Sequence, residues 1–362
     1  MFKKISKKIS ERIKASSIKQ RVADYDASEV IGFDGTSKYR ERTHLEKKNN
    51  FFFIHIPKTA GTSFRKALES EHRVIGDYGK HSSQTHSLIL DHIYREQAPL
   101  NLKKSFNEVE NTWLVGHVTL AKYSDIVSAR HIISFVREPI QQVVSHYNHY
   151  VAFHGFKGTL AQFLKRPLAS NFQRKNLAPL PLGLIGYVGL TDCYEESIQL
   201  INSYYGLSLK VIETNVNKKK TIEKEAISPE LRAKITKLNP IDINCVKEAE
   251  FLHVHRVALT QQNKEWVYSH FTINPNNILT GCAYYSHSEK AVEFNVLCNG
   301  ELLEVMTADN FFGNFPKVNF PRERYIGVHF SLTNRCKEGD KIEVFAKETG
   351  QQLTYKSLTL KK

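Results

Sequence analysis

Residues 51–69 read FFFIHIPKTAGTSFRKALE. Their first part, residues 51–56, is a short apolar run between Asn50 and Pro57, which is typical of a buried strand in a parallel sheet. The apolar side chains after the following loop recur at helical spacing: Phe64, Ala67 and Leu68. The stretch therefore predicts a strand–loop–helix unit and an α/β fold.

The loop between this strand and helix has the composition of an anion cradle. Backbone N–H groups around Ala60–Ser63 would point at a phosphate, and the positive end of the helix would add to their effect. Lys58 supplies a mobile positive charge. Hydroxyl donors come from three residues: Thr59, Thr62 and Ser63. It is not a Walker A loop, because the Lys precedes Gly61 instead of following a Gly.

Two more strands are expected, at residues 112–115 and 131–136. The second leads into Arg137-Glu138-Pro139, and Pro is a favoured opening residue of a helix. The helix that follows has apolar residues at 3.6-residue spacing: Ile140, Val143, Val144, Tyr147 and Val151. Alternating strands and helices predict a parallel sheet with its ligand at the carboxyl ends of the strands.

The last hundred residues have a different pattern. Residues 292–297 and 341–345 alternate between apolar and polar side chains, as half-buried strands do. Turn signals separate such runs, and Asn299-Gly300 is the strongest of them, since Asn-Gly between strands is typical of a hairpin. We predict an all-β region, folded as a small sandwich.

Composition and charge exclude several classes of protein. The chain has 362 residues, 41% of them hydrophobic, and no apolar run approaches the roughly 18–20 residues that cross a bilayer. Five scattered Cys argue against a disulfide framework or a Cys-rich zinc site. The N-terminus lacks the apolar region of a signal peptide, so the expected location is the cytoplasm. A net charge of +14 favours anionic partners, but no nucleic-acid-binding module is recognisable.

Much of this charge is concentrated near the N-terminus. Residues 1–22 contain eight Lys and Arg and one acidic residue, Glu11. Four apolar residues form a narrow stripe at helical spacing: Phe2, Ile5, Ile9 and Ile13. The stripe and charge fit a helix lying on anionic lipid, and they fit equally a solvated basic tail.

The string His55-Ile-Pro-Lys-Thr-Ala-Gly-Thr-Ser63 resembles the 5′-phosphosulfate loop of sulfotransferases that use 3′-phosphoadenosine-5′-phosphosulfate (PAPS). It is most similar to the carbohydrate sulfotransferases that include heparan 2-O-sulfotransferases and related bacterial enzymes. That family's second signature, an Arg at a strand end and a Ser eight residues later, matches Arg137 and Ser145. The resemblance covers about residues 50–262.

The resemblance implies a P-loop-like parallel β-sheet flanked by helices, with an all-β sandwich after it. The expected parts are a basic amphipathic segment and linker at residues 1–49, a sulfotransferase domain at 50–262 and an accessory domain at 263–362. Arg137 and Ser145 would hold the 3′-phosphate of PAPS. The loop residues expected to bind the cofactor are Pro57, Lys58, Thr59, Ala60, Gly61, Thr62 and Ser63.

Sulfuryl transfer, like phosphoryl transfer, depends on positioning and charge stabilisation. Lys58 would neutralise charge on the departing nucleotide, and a His would take the acceptor proton. Residues 114–118 resemble the segment that carries a catalytic His in several members, which points to His117; a structural role for His117 is the alternative. His55 lies within the strand and is expected in the core. His146, His149 and His154 are expected on a solvated or substrate-facing surface, with no metal.

These features predict a bacterial O-sulfotransferase that transfers a sulfuryl group from PAPS to a carbohydrate or glycolipid hydroxyl. Its expected location is the cytoplasm, at the inner face of the membrane if residues 1–22 bind lipid. Two alternatives stay open: a P-loop-type nucleotide kinase, which would need Mg²⁺, and a non-catalytic glycan- or lipid-binding adaptor.

Overall fold

The computed structural model describes residues 50–212 and 227–360. The described residues belong to one compact unit. The predicted basic N-terminal segment, residues 1–49, lies outside the described residues.

A five-stranded sheet forms the first part of the described chain, and all of its strand pairs are parallel. Its strands are β1 (Phe51–Ile54), β2 (Arg73–Asp77), β3 (Thr112–Gly116), β4 (Ile132–Val136) and β5 (Tyr187–Leu190). Their spatial order is β2-β3-β1-β4-β5. The α/β prediction is confirmed, although the sequence did not single out β2 and β5 as strands.

Helices pack on both faces of this sheet because its strands are apolar on both faces. Phe51 and Phe53 belong to one core and Phe52 and Ile54 to the other, as the two-residue period of a strand requires. The helices are α1 (Gly61–Glu69), α2 (Ser87–Ile89, continued by a π-helical turn at Leu90–Arg95), α3 (Pro99–Asn107), α4 (Pro139–Phe153), α5 (Leu160–Phe163), α6 (Phe172–Leu177), α7 (Tyr194–Tyr205), α8 (Pro229–Leu238) and α9 (Pro240–Gln261).

Two antiparallel four-stranded sheets follow, with the orders β10-β11-β7-β6 and β13-β12-β8-β9. Their strands are β6 (Val267–Ile273), β7 (Ile278–Tyr285), β8 (Val292–Cys298), β9 (Glu301–Ala308), β10 (Asn310–Phe311), β11 (Tyr325–Ser331), β12 (Lys341–Ala346) and β13 (Leu358–Thr359). An apolar core with residues from both sheets joins them. The predicted sandwich is confirmed. So is the Asn299-Gly300 hairpin, whose positive φ values of 54° and 91° suit the turn.

The sandwich packs directly on the α/β part. The hydroxyls of Tyr268 and Tyr284 donate to the backbone oxygens of Gly186 (2.9 Å) and Leu184 (3.2 Å), and both rings belong to a core shared with the parallel sheet. Five residues separate the end of helix α9 at Gln261 from the start of strand β6 at Val267. The division into separate domains at residues 262 and 263 stays a prediction.

The sheet order brings three strand ends together. Strand β1 lies between β3 and β4, and its last residue, Ile54, pairs with Gly116 of β3 and Ser134 of β4. Because these strands are parallel, the segments after them leave the sheet at the same edge. The segments after β1, β3 and β4 begin at His55, His117 and Arg137.

Candidate active site

The loop after β1 has an unusual backbone. Lys58 and Ala60 both have left-handed φ values, 70° and 67°, which non-Gly residues rarely adopt. Three hydrogen bonds to backbone oxygens hold this shape: Thr59 Oγ1 to Ile56 (2.9 Å), Gln142 Nε2 to Pro57 (3.1 Å) and Arg137 Nη1 to Lys58 (3.4 Å). The surrounding structure therefore stabilises a strained loop, a combination that is common at functional sites.

These bonds change the expected role of Thr59. Its side chain is completely buried, and its hydroxyl proton is donated to the oxygen of Ile56. The prediction that this hydroxyl donates to a phosphate does not agree with the structure, because the group closes the loop instead. Thr62, at the start of α1, is half-buried and remains a candidate donor.

The N-terminus of α1 has no side-chain cap. Its N-cap residue, Ala60, forms no capping hydrogen bond, and the N–H of Ser63 donates to the oxygen of Ala60 (3.0 Å). Helix geometry leaves the first N–H groups without intrahelical acceptors, so Gly61 and Thr62 provide the donors here. An uncapped helix start with its positive dipole end suits an anion.

Two positive side chains accompany this helix start. The guanidinium of Arg137 donates to Gln141 Oε1 from Nη2 (3.1 Å) and Nε (3.3 Å) and approaches the backbone of Lys58. Within the described residues, neither Lys58 nor Arg137 forms an ion pair. Burial and the charge of Arg137 lower the pKa of Lys58, and burial lowers the pKa of Arg137. Asp192 and Glu138 act on Arg137 electrostatically without forming a close ion pair with it. Two adjacent cations at a helix start favour binding of an anion.

Ser145 lies on α4, one turn after Gln141. It is half-buried and follows Gln141 by four residues, so both side chains lie on one face of the helix. The face that contacts Arg137 through Gln141 therefore also presents the Ser145 hydroxyl.

His117 follows β3 and lies beside the loop. Its N–H donates to the oxygen of Asp77 (3.1 Å), and its ring centroid is 4.4 Å from His55 and 4.9 Å from Tyr78. Although the side chain is exposed, the surrounding protein, Arg65 and His149 lower its pKa to about 4. A neutral imidazole with a free lone pair can accept a proton, as a general base must.

Two residues at the site were not predicted there. His55 is buried, as expected, but its ring contacts His117 and the start of α1 as well as the core. Tyr78 binds His55 Nδ1 through its hydroxyl (3.1 Å), and it follows β2, the strand that the sequence did not reveal. Recognition of Val74-Ile75-Gly76 as a strand would have placed Tyr78 at this edge of the sheet.

The histidines of α4 differ from their expected surface position. His146 is buried against Phe163 and Phe172, and burial lowers its pKa to about 3. Its Nδ1 has no hydrogen-bond partner within residues 50–212 and 227–360. His149 is half-buried, and burial with the charges of Lys58 and His154 lowers its pKa to about 4. Helix α4 turns His146 and His149 toward the loop. The predicted surface position of His146 is therefore wrong.

Comparison with known protein families identifies a similarity in the first half of the chain. A sequence profile of the sulfotransferase family matches residues 41–178. The matched region contains the loop after β1, His117 and the pair Arg137 and Ser145, and the family supports sulfuryl transfer as the general reaction.

The solved structures that resemble this chain are distant from it. A sulfotransferase from Alicyclobacillus acidocaldarius has a TM-score of 0.31 and 16% identity, over 55% of this chain and 93% of that one. Mouse sulfotransferase SULT7A1, complexed with PAP, has a TM-score of 0.34 and 9% identity, over 60% and 90% of the two chains. No curated protein sequence matches the chain.

Among the described residues, two groups of candidate metal ligands lie outside the matched region, residues 41–178. They are Cys193, Glu196 and His253, and Cys298, Cys336 and Asp340; within each group the ligand atoms lie within 4.8 Å of one another. None of these residues belongs to the loop, and the absence of a metal from the reaction stays a prediction. None of the helices in residues 50–212 and 227–360 combines the length and apolar character that a membrane crossing requires.

Proposed function

We propose that the protein transfers a sulfuryl group from PAPS to a hydroxyl of a carbohydrate or glycolipid. The observation that carries this proposal is the placement of Lys58 and Arg137, neither of which forms an ion pair in the described part of the chain, at the uncapped start of α1. A nucleotide with phosphates at both ends suits two cations placed in this way.

Each phosphate would have its own residues. The 5′-phosphosulfate would accept hydrogen bonds from the first N–H groups of α1, near Thr62 and Lys58. The 3′-phosphate would bind the guanidinium of Arg137 and the hydroxyl of Ser145. Ser145 lies on the same face of α4 as Gln141, which accepts hydrogen bonds from Arg137. PAPS would supply the sulfuryl group and a phosphate leaving group.

Lys58 and His117 would carry the chemistry from opposite sides of the reacting group. Lys58 would stabilise the negative charge that builds up as the bond to the nucleotide breaks. His117, neutral in the free protein, would take the proton of the acceptor hydroxyl. The charge of the bound nucleotide would offset that of Arg65 and raise the pKa of His117 toward neutrality, where a base is most effective.

The side of the site near His149 would receive the acceptor. His149 interacts electrostatically with both Lys58 and His117. Its ring lies 4.9 Å from that of Phe153, whose side chain is 70% exposed. An exposed aromatic ring beside polar histidines offers an apolar face and hydrogen-bonding groups to a sugar. The choice of carbohydrate or glycolipid itself rests on the resemblance of the sequence motifs.

Calorimetric titration with adenosine 3′,5′-bisphosphate (PAP), in the presence of EDTA, tests the proposal. We expect saturable binding, because the product shares both phosphates with PAPS and the proposed reaction requires no metal. Absence of binding would refute the proposed function. Binding of ATP that depends on Mg²⁺, with none of PAP, would instead support a P-loop-type kinase.

The variant Lys58→Ala distinguishes the proposed enzyme from the non-catalytic adaptor. An enzyme with this variant would lose sulfuryl transfer from ³⁵S-labelled PAPS, whereas an adaptor has no transfer to lose. Wild-type protein that binds PAP but transfers no label to any glycan or glycolipid fraction would favour the adaptor.

A further inference from the structure

The His55 ring is packed against the first residue of α1. A β-carbon on Gly61 would lie 2.1 Å from His55 Cδ2 and 2.5 Å from Nε2, so only Gly allows this approach. The His55 side chain is 95% buried, with a relative exposure of 5%. Its Nε2 edge therefore lies at the helix start where the proposed function places the 5′-phosphate.

The two ring nitrogens of His55 have different surroundings. Nδ1 lies 3.1 Å from the Tyr78 hydroxyl, whereas Nε2 has no hydrogen-bond partner among residues 50–212 and 227–360. Burial raises the pKa of Tyr78 to about 12, so the hydroxyl keeps its proton and can donate it. Nε2 is not sealed from solvent by the protein, so a ligand bound at the start of α1 can reach it.

We propose that His55 binds the nucleotide directly, with its Nε2–H donating a hydrogen bond to the 5′-phosphate. This inference rests on the proposed function and adds to it a residue at the reacting end of the cofactor. Tyr78 acts as a positioning residue: its hydroxyl donates to Nδ1, which leaves the proton of the neutral ring on Nε2.

The surroundings of His55 keep the ring neutral before the nucleotide binds. Burial and the nearby charges of His117, Arg65 and Lys58 lower its pKa well below the usual range. A neutral donor is thus ready at physiological pH and needs no proton from solvent. The uncapped helix and the unpartnered Nε2 are independent observations that point to the same anion.

Calorimetry with two nucleotides tests the contact at the phosphate itself. PAP has the 5′-phosphate, and adenosine 3′-monophosphate lacks it. We expect His55→Asn, which removes the group at Nε2, to weaken PAP binding about ten- to a hundredfold, the value of a hydrogen bond to a charged group. Its affinity for adenosine 3′-monophosphate should stay unchanged. His55→Gln, whose amide nitrogen reaches the position of Nε2, should restore most of the PAP affinity.

A matched control comes from another histidine. Nε2 of His72 likewise has no hydrogen-bond partner in the described part of the chain, but this nitrogen is buried, and the His72 ring centroid lies 6.1 Å from that of Trp113. His72→Asn should leave both affinities unchanged. Equal losses for both nucleotides in His55→Asn, or none in either, would overturn the inference.

A measurement on the wild-type protein covers the case in which the variants do not fold. In ¹⁵N-resolved imidazole spectra, His55 should carry its proton on Nε2, and this proton signal should shift with PAP but not with adenosine 3′-monophosphate. A proton on Nδ1, or no shift with PAP, would refute the contact. Wild-type protein that fails to bind PAP would refute the proposed function itself, which is a different result.

Discussion

Gln173 and Arg137 exchange two hydrogen bonds of 2.8 Å, one from the Arg137 N–H to Gln173 Oε1 and one from Gln173 Nε2 to the Arg137 oxygen. The Gln173 side chain is completely buried, and its own N–H donates to Asp242 Oδ2 (3.0 Å). A residue of α6 thus holds the backbone where β4 ends, at the point from which the Arg137 guanidinium extends toward the loop.

We expect Gln173→Ala to destabilise the protein and to displace Arg137. Two buried backbone groups would lose their partners, which costs roughly 1–3 kcal/mol for each unsatisfied group. Urea unfolding measures the loss of stability, and PAP titration measures the loss of affinity. Gln262→Ala, an exposed site after α9, is the control and should change neither. A Gln173→Ala protein of full stability would contradict the positioning role.

Arg137→Ala should weaken PAP binding by about ten- to a hundredfold, because one charge-assisted phosphate contact is lost. Arg137→Lys keeps the charge but not the fork, so an intermediate loss is expected. Calorimetry with adenosine 5′-monophosphate, which lacks the 3′-phosphate, is the matched comparison and should show little change. Equal losses for both nucleotides would place Arg137 elsewhere on the ligand.

His117→Ala should lower turnover by about 100- to 10,000-fold, the range for a lost general base, and leave PAP affinity unchanged. Transfer of ³⁵S from labelled PAPS measures the turnover. His329→Ala, at an exposed site on β11, serves as the control. If the His117 variant retains full turnover, another group accepts the proton.

Acid should destabilise the protein through His146. Its folded-state pKa of about 3 is below the usual value of 6.5, so the unfolded chain binds the proton first. Stability is therefore retained above pH 6.5 and lost as the pH falls toward 3. At pH 5 the loss from this one residue is about 2 kcal/mol relative to pH 7. Urea unfolding of wild type and His146→Phe at both pH values measures it; an equal acid loss in the variant would contradict the assignment.

Deletion of residues 1–22 tests the membrane prediction. Their net charge of +7 should bind anionic vesicles, at about 1 kcal/mol for each basic residue near the surface, and salt should weaken this binding. Co-sedimentation should disappear in the truncated protein while PAP affinity stays unchanged. Full-length protein that remains in the supernatant at low salt would identify the segment as a solvated tail.

The strand–loop–helix unit at residues 51–69 was predictable because its signals are local. Strand burial, the loop composition and the helix period all lie within 19 consecutive residues, and β1 and α1 form there. The strand before Arg137 and the Asn299-Gly300 hairpin were predictable for the same reason. Strand β2 begins with an exposed Arg73 and has only Val74 and Ile75 as consecutive large apolar residues, which is too short an apolar run for such a signal.

The sequence by itself therefore determined the α/β class, the anion loop and the candidates Lys58, His117 and Arg137. Only the tertiary structure decided which groups meet there. The parallel order β2-β3-β1-β4 sets Tyr78, His117, His55 and Arg137 at one sheet edge, although up to 82 residues separate them along the chain. The fold likewise turned Thr59 inward, buried His146 and brought Cys298 beside Cys336. Such contacts depend on how whole elements pack, and no local period in the sequence encodes that packing.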